Sequence, residues 1–331
     1  MATLPSAIPP ATATAAPTNT TSHPAADTTK TSPITDQNPS TNPPPPQTQD
    51  DTPQTTSTNP PPTPYFKSLN PSAPQSLLLL HGLLSSHLEY TSVTSHLPSY
   101  HILAVDLPGH SRSSALPGPY TIPLMTDAIA ALIRSHAHNA QAHIVGLSMG
   151  GFVALDLARR YPALCLSVFV TGAAPFSGMF RVMASRPWIP FAVMWFLLDV
   201  LPDSVYWFLG RRTGIEVRDD QLRREMRGNR RWEVVRDVYD SILGLGWEEI
   251  RGISEVRVLN VAAGRQDDVE ATREVGRVWR EEGITERLGS RGVVVRKAVH
   301  AWDLQFPELF AEGVKAWIEG RELPREFEAL D

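Results

Sequence analysis

The chain is poor in the features that would place it in several common protein classes. Among its 331 residues there is one cysteine, Cys165, so no intrachain disulfide can form. Its apolar setting between Leu164 and Val170 reads as a small buried strand residue, compatible with a reducing compartment. No apolar run follows a basic start, which sets aside a signal peptide, and the first arginine is Arg112, which sets aside an Arg-rich presequence. The apolar stretch from Trp188 to Leu201 is about fourteen residues, broken by Pro190 and Asp199 and too short to span a bilayer. These absences lead to the expectation of a cytoplasmic protein, with peripheral lipid contact by that stretch as the lesser alternative. A formal charge of −5 gives no general basis for binding nucleic acid.

Residues 1–64 are dominated by Pro, Thr, Ser, Ala and Asn and include Pro43–Pro46 and Pro60–Pro62. Without hydrophobic periodicity such a tract buries too little apolar surface to offset the entropy of ordering, so a disordered tail is expected. Residues 65–331 suffice for one α/β domain. Short apolar segments at about 76–81, 100–106, 142–147, 164–171, 256–263 and 292–298 read as strands. Helical patterns lie near 86–97, 123–137, 149–161, 270–282 and 306–319, again as approximate bounds. This alternation implies a mostly parallel, doubly wound sheet with helices on both faces.

The richest stretch runs from Ala142 to Leu155, an apolar strand passing through Gly146-Leu147-Ser148-Met149-Gly150 into a helix. A G-x-S-x-G in that setting suits a nucleophile elbow, a sharp turn that presents one serine hydroxyl at the top of a sheet. Gly146 and Gly150 remove side chains that would collide in so tight a turn, and the helix N-terminus behind Ser148 favours negative charge. Ser148 is the candidate nucleophile. It needs a base, and the base needs an orienting acid. Val256 to Gly264 reads as a strand followed by Arg265-Gln266-Asp267-Asp268, and Gly292 to Val299 as another ending at His300. Both candidates therefore sit at C-terminal strand edges, where open α/β sheets gather ligand sites. Asp267 and Asp268 compete for the acid, and either can cap the helix that follows.

Together these pieces, with His81-Gly82 after Leu77–Leu80 and Asp106-Leu107-Pro108-Gly109-His110-Ser111, resemble the α/β-hydrolase superfamily over roughly residues 75–320. The resemblance implies an acid three residues after Gly264, which selects Asp267 and leaves Asp268 as fallback. It also implies an oxyanion hole from the backbone N–H groups of Met149 and Leu83. His81 is expected to be a hydrogen-bonding loop residue, with His81 and Trp302 as candidate pocket residues. The family usually opens with two antiparallel strands before His81-Gly82, and only Tyr65 to Leu69 remains to supply one.

Residues 175 to about 250 interrupt the alternation and occupy the place of a helical cap. Twelve of the chain's 26 aromatics fall here, which suggests an apolar acyl or ring substrate, although for most of them packing of cap onto core is the simpler reading. The arginines from Arg211 to Arg236 alternate with acids as a solvated helical face would. His136, His138 and His143 lack the neighbours of a metal site. No metal or organic cofactor is expected. The sequence thus describes a serine hydrolase of an ester or thioester of a small hydrophobic molecule. Same-fold lyase, carbon–carbon hydrolase or cofactor-free peroxidase chemistry, or a ligand-binding protein, are the alternatives. Substrate and oligomeric state stay open.

Overall fold

The computed structural model describes residues 63–330, so all but the last two residues of the expected tail lie outside it. Within the described residues an eight-stranded sheet runs in the order β1-β3-β2-β4-β5-β6-β7-β8. The six parallel strands are β2 (Ser76–Leu80), β3 (His101–Val105), β4 (Ala142–Leu147), β5 (Cys165–Thr171), β6 (Val258–Ala263) and β7 (Arg291–Val295). Their continuous apolar runs reflect burial on both faces, with side chains alternating between two cores. Leu78 and Leu80 join Ile129 and Phe152 on one face, whereas Leu77 and Leu79 join Tyr90 and Phe310 on the other. Each leucine so buried contributes about 1.5–3 kcal/mol.

Short antiparallel strands close both edges. β1 (Phe66–Leu69) pairs with β3, as the single strand available before His81-Gly82. β8 (Glu328–Ala329) pairs with β7. It has no counterpart in the sequence reading, because two residues carry no periodicity. Helices α1 (Ile122–His136), α2 (Met149–Arg160), α9 (Val269–Glu281) and α10 (Pro307–Glu319) lie close to their expected positions. Between β5 and β6 the chain forms α3 (Gly178–Ala184), α4 (Trp188–Trp195), a π-helical turn (Phe196–Val200), α5 (Asp203–Thr213), α6 (Asp220–Asn229), α7 (Trp232–Ile242) and α8 (Trp247–Arg251).

The helix expected over 86–97 is not continuous. A 3₁₀ turn at His87–Tyr90 leads into a single helical turn at Thr91–Thr94. The hydroxyls of Thr91, Thr94 and Ser95 each donate to a carbonyl three residues back, the local competition that makes Ser and Thr poor helix formers. Trp302 is also reassigned. Its side chain is wholly buried against Phe169, Phe310 and Phe327, and its indole N–H donates to Thr171 Oγ1 at 2.8 Å. It is a core residue that ties the segment after His300 to the end of β5, and it lines no cavity found around Ser148.

Trp302→Ala should lower unfolding free energy by about 3–5 kcal/mol, since it empties a large packed site and strands the Thr171 hydroxyl. Urea denaturation of the two proteins checks this, and a loss below about 1 kcal/mol would contradict the packing role.

Candidate active site

Ser148 links β4 to α2 with φ 52° and ψ −118°, a conformation that L-residues rarely hold. The elbow is pinned by Ser148 N–H donating to Thr171 O at 2.8 Å and Gly150 N–H donating to His81 O at 3.1 Å. A Cβ on Gly150 would lie 2.2 Å from Leu80 O, and one on Gly146 would lie 2.3 Å from Gly150 O. Neither position admits a side chain. Because β2 has β3 on one side and β4 on the other, the loops after β2 and β4 flank the switch point of the sheet.

His300 follows β7. Its Nδ1 lies 2.5 Å from Asp267 Oδ1, and Asp267 Oδ2 accepts from Ala263 N–H at 2.7 Å. Asp268, the fallback acid, instead caps α9 by accepting from Ala271 N–H at 2.9 Å. Burial pushes the His300 imidazole down, but the hydrogen bond and charge of Asp267, with a smaller contribution from Glu89, outweigh it and leave the pKa raised above 6.5. Ser148 and His300 line the same two cavities, of about 200 and 260 Å³. Among the described residues no hydrogen bond joins them, and such contacts commonly tighten only on substrate binding.

Leu83 and Met149 line the second of these cavities with Ser148. Their neighbours' amides are engaged: Gly82 N–H on Glu89, Leu84 N–H on His110 and Gly150 N–H on His81 O. Among the described residues the Leu83 and Met149 N–H groups have no acceptor.

His81 lies behind this loop and is not a pocket wall. It is fully buried, with Nε2 accepting from Leu107 N–H at 3.0 Å and Nδ1 donating to Gly82 O at 2.8 Å. Burial lowers its pKa to about 4, which keeps it neutral and suited to that donor–acceptor role. His110 does the same for Leu84 and Pro108, with its pKa lowered to about 3 by burial.

Several residues here escaped the sequence reading. Gly172, at the end of β5 with φ +63°, would place a Cβ 2.6 Å from His300 Cε1. The only signal was a glycine after a strand. Gln305 accepts from Val299 N–H and donates to Thr213 O, joining the His300 loop to α5. The cap arginines also differ from expectation. Arg223 is buried, and Arg223, Arg227 and Arg230 reach Asp203 and Asp199 on other elements rather than pairing along one helix. His136, His138 and His143 are taken up separately, against Phe66, against Pro71 O and His101, and on Ser167 Oγ.

A family model described as the alpha/beta hydrolase fold matches residues 75–200. An AB hydrolase superfamily protein of Gibberella zeae is 32% identical over 275 residues, covering 81% of this chain and 88% of that protein. The chain belongs to the α/β-hydrolase superfamily. A pimeloyl-[acyl-carrier protein] methyl ester esterase of Neisseria meningitidis is 37% identical over 102 residues, a local match covering 29% of this chain and 37% of the esterase. The enol-lactonase of Burkholderia xenovorans LB400 shares the fold at TM-score 0.60 and 19% identity, over 77% of this chain and 96% of the lactonase.

This α/β hydrolase also carries two buried carboxyls beside the loop that presents Leu83. Glu89 Oε2 accepts from Gly82 N–H at 2.9 Å, while both oxygens of Asp303 are buried without a partner among the described residues. Burial raises the Glu89 pKa from 4.5 to about 7, against the opposing Gly82 hydrogen bond. Burial, then the charge of Glu89, holds Asp303 well above the usual carboxylate range. Below about 4.5 both folded and unfolded chains hold the Glu89 proton. As pH rises from there toward 7 the unfolded chain ionises first, so the folded state loses stability across that window. Glu89→Gln keeps an acceptor for Gly82 and cannot ionise, so its thermal midpoint should fall less over the same range. Parallel pH dependence in melts of the two proteins would contradict this.

Proposed function

We propose that this hydrolase cleaves a carboxylic ester of a small hydrophobic molecule through an acyl-serine intermediate. The reading is carried by one convergence: Ser148 in a strained elbow, the His300–Asp267 pair at 2.5 Å, and two unspent backbone donors around one apolar cavity. The esterase name of the Neisseria meningitidis relative supports ester hydrolysis in general. Phe152, Phe176, Met194, Tyr239 and Ile242 supply the cavity's apolar wall, which suits an acyl chain better than a charged group.

In this reading Ser148 Oγ attacks the carbonyl carbon as its proton passes to His300 Nε2. Asp267 holds Nδ1–H, fixes the tautomer and stabilises the imidazolium. The tetrahedral oxyanion is held by the Leu83 and Met149 N–H groups. His300 returns the proton to the departing alkoxide, the C–O bond breaks, and the acyl group remains on Ser148. Water then loses a proton to His300 and attacks the acyl-serine; the C–O bond to Ser148 breaks, His300 returns the proton to Ser148 Oγ, and the acid leaves. Thioesters fit the same steps with a thiolate leaving group.

Release of p-nitrophenol from esters of increasing chain length tests the assignment. Ser148→Ala and His300→Ala should each lower kcat by ~10⁴-fold or more, and Asp267→Asn by roughly 10⁴-fold through the wrong tautomer. A burst of phenol ahead of acid marks the acyl-enzyme. Turnover unaffected by Ser148→Ala would overturn the reading. A folded wild type with neither turnover nor label from a covalent serine probe would favour ligand binding alone.

His300 must be neutral to accept the serine proton. Its raised pKa places the acid limb of kcat/KM above 6.5, activity rising with pH through that limb. Loss of Asp267 removes the largest upward influence and leaves burial, so His300 in Asp267→Asn should titrate lower, read by NMR. An acid limb centred at or below 6.5 in the wild type would contradict the arrangement.

A further inference from the structure

The cap carries a surface that water does not explain. Among the described residues, fourteen of the seventeen exposed large apolar ones lie between Met179 and Val217. Met179 is 70% exposed and Trp188 61%, with Val193, Trp195, Phe196 and Phe208 near half. The helices that bear them bury little: only Ala184 in α3, Pro190 in α4, Leu198 in the π-helical turn and Trp207 in α5. Fourteen such side chains at about half exposure make on the order of 1,000 Å², against the few hundred usual for a soluble monomer's largest patch. The expectation that the cap aromatics chiefly pack cap onto core therefore fails for Trp188, Trp195, Phe196 and Phe208.

Charge points to the occupant. Within α3 to α5 the acids are Asp199 and Asp203, both neutralised by Arg230, Arg223 and Arg227 from outside those helices, and Glu216 follows just after α5. Among the described residues Arg181, Arg186, Arg211 and Arg212 have no carboxylate partner, so apolar helices are rimmed by free cations. Arg211 and Arg212 also line an open groove in which Arg265, Arg296 and Lys297 outnumber Glu216 and Glu308. Trp and Phe between arginines match the boundary of an anionic bilayer, where rings sit at headgroup depth and guanidinium groups meet phosphate. Among the described residues no single helix is long and apolar enough to cross a membrane, and Trp188–Val200 meets Asp203–Thr213 at 115°. That bend suits helices lying in the surface plane. The face is also continuous with the interior: Phe180 borders the Ser148 cavity, and Leu197, Leu201 and Leu209 line a cavity of about 550 Å³ that reaches His300.

We propose that α3, α4, the π-helical turn and α5 dock this protein on an anionic lipid surface, with the cap cavity facing the bilayer. Docking does not depend on the chemistry at Ser148. Flotation of the full chain with phosphatidylcholine vesicles, with and without phosphatidylglycerol, tests it. Wild type and Ser148→Ala should both float with the anionic vesicles and much less with neutral ones, and added salt should weaken the association. The pair Trp188→Ser and Trp195→Ser, or Arg211→Glu with Arg212→Glu, should lower partitioning by about tenfold or more while hydrolysis of a short soluble ester is retained. Brominated lipid should quench tryptophan fluorescence in the wild type, a readout that needs no variant. The proposal fails if wild type stays with the soluble fraction on both vesicles. It also fails if the variants float like wild type, or if the tryptophan substitutions instead abolish a concentration-dependent dimer in a protein that never binds vesicles.

Discussion

The closeness of two backbones organises this site. Gly150 sits so near the end of β2 that a Cβ would lie 2.2 Å from Leu80 O, and its N–H reaches His81 O at 3.1 Å. That approach forces Ser148 into its positive φ and sets it beside the loop carrying Leu83. Met149 opens α2, where the first N–H groups have no intrahelical acceptor, and among the described residues the Leu83 N–H also has none. Strain of this kind costs on the order of 1–3 kcal/mol and persists only where surrounding structure over-determines it. Here the sheet does so, with leucines 77 to 80 buried on both faces.

A buried polar frame holds the loop behind that turn. His81 and His110, both kept neutral by burial, join the 81–84 segment to the 106–110 segment, and Asp106 gathers the His87 side chain and amide. Glu89 holds the Gly82 amide. In a low-dielectric interior such bonds are stronger than in water, and unmet ones are correspondingly costly. Among the described residues the Asp303 carboxyl has no partner, and burial, then like-charge repulsion from Glu89, holds its pKa well above the usual carboxylate range.

The cap adds a different physics. Phe176, Met194 and Tyr239 give the Ser148 cavity an apolar wall, and buried Arg223 fastens α6 to the carbonyls of Leu198 and Leu201. Meanwhile α3, α4, the π-helical turn and α5 keep apolar side chains outward. One short insertion thus shapes a cavity on the inside and an unsatisfied surface on the outside.

Much of this was legible in order along the chain. Apolar runs of strand length separated by helical patterns dictate a parallel α/β sheet, and the glycines around Ser148 dictate an elbow, because these are local constraints of backbone sterics and periodicity. The edge strand β8 and the broken 86–97 segment were not legible, since two residues have no period and hydroxyl back-bonding overrides an apolar pattern. Trp302 illustrates the larger limit. Its place beside His300 in sequence suggested a pocket wall, but side-chain direction turned it into the opposite core. The roles of Gly172, Gln305 and Glu89, and the outward turn of the cap aromatics, were likewise decided only by tertiary structure. Each depends on which groups from distant segments share a few ångströms, a quantity that sequence spacing does not carry.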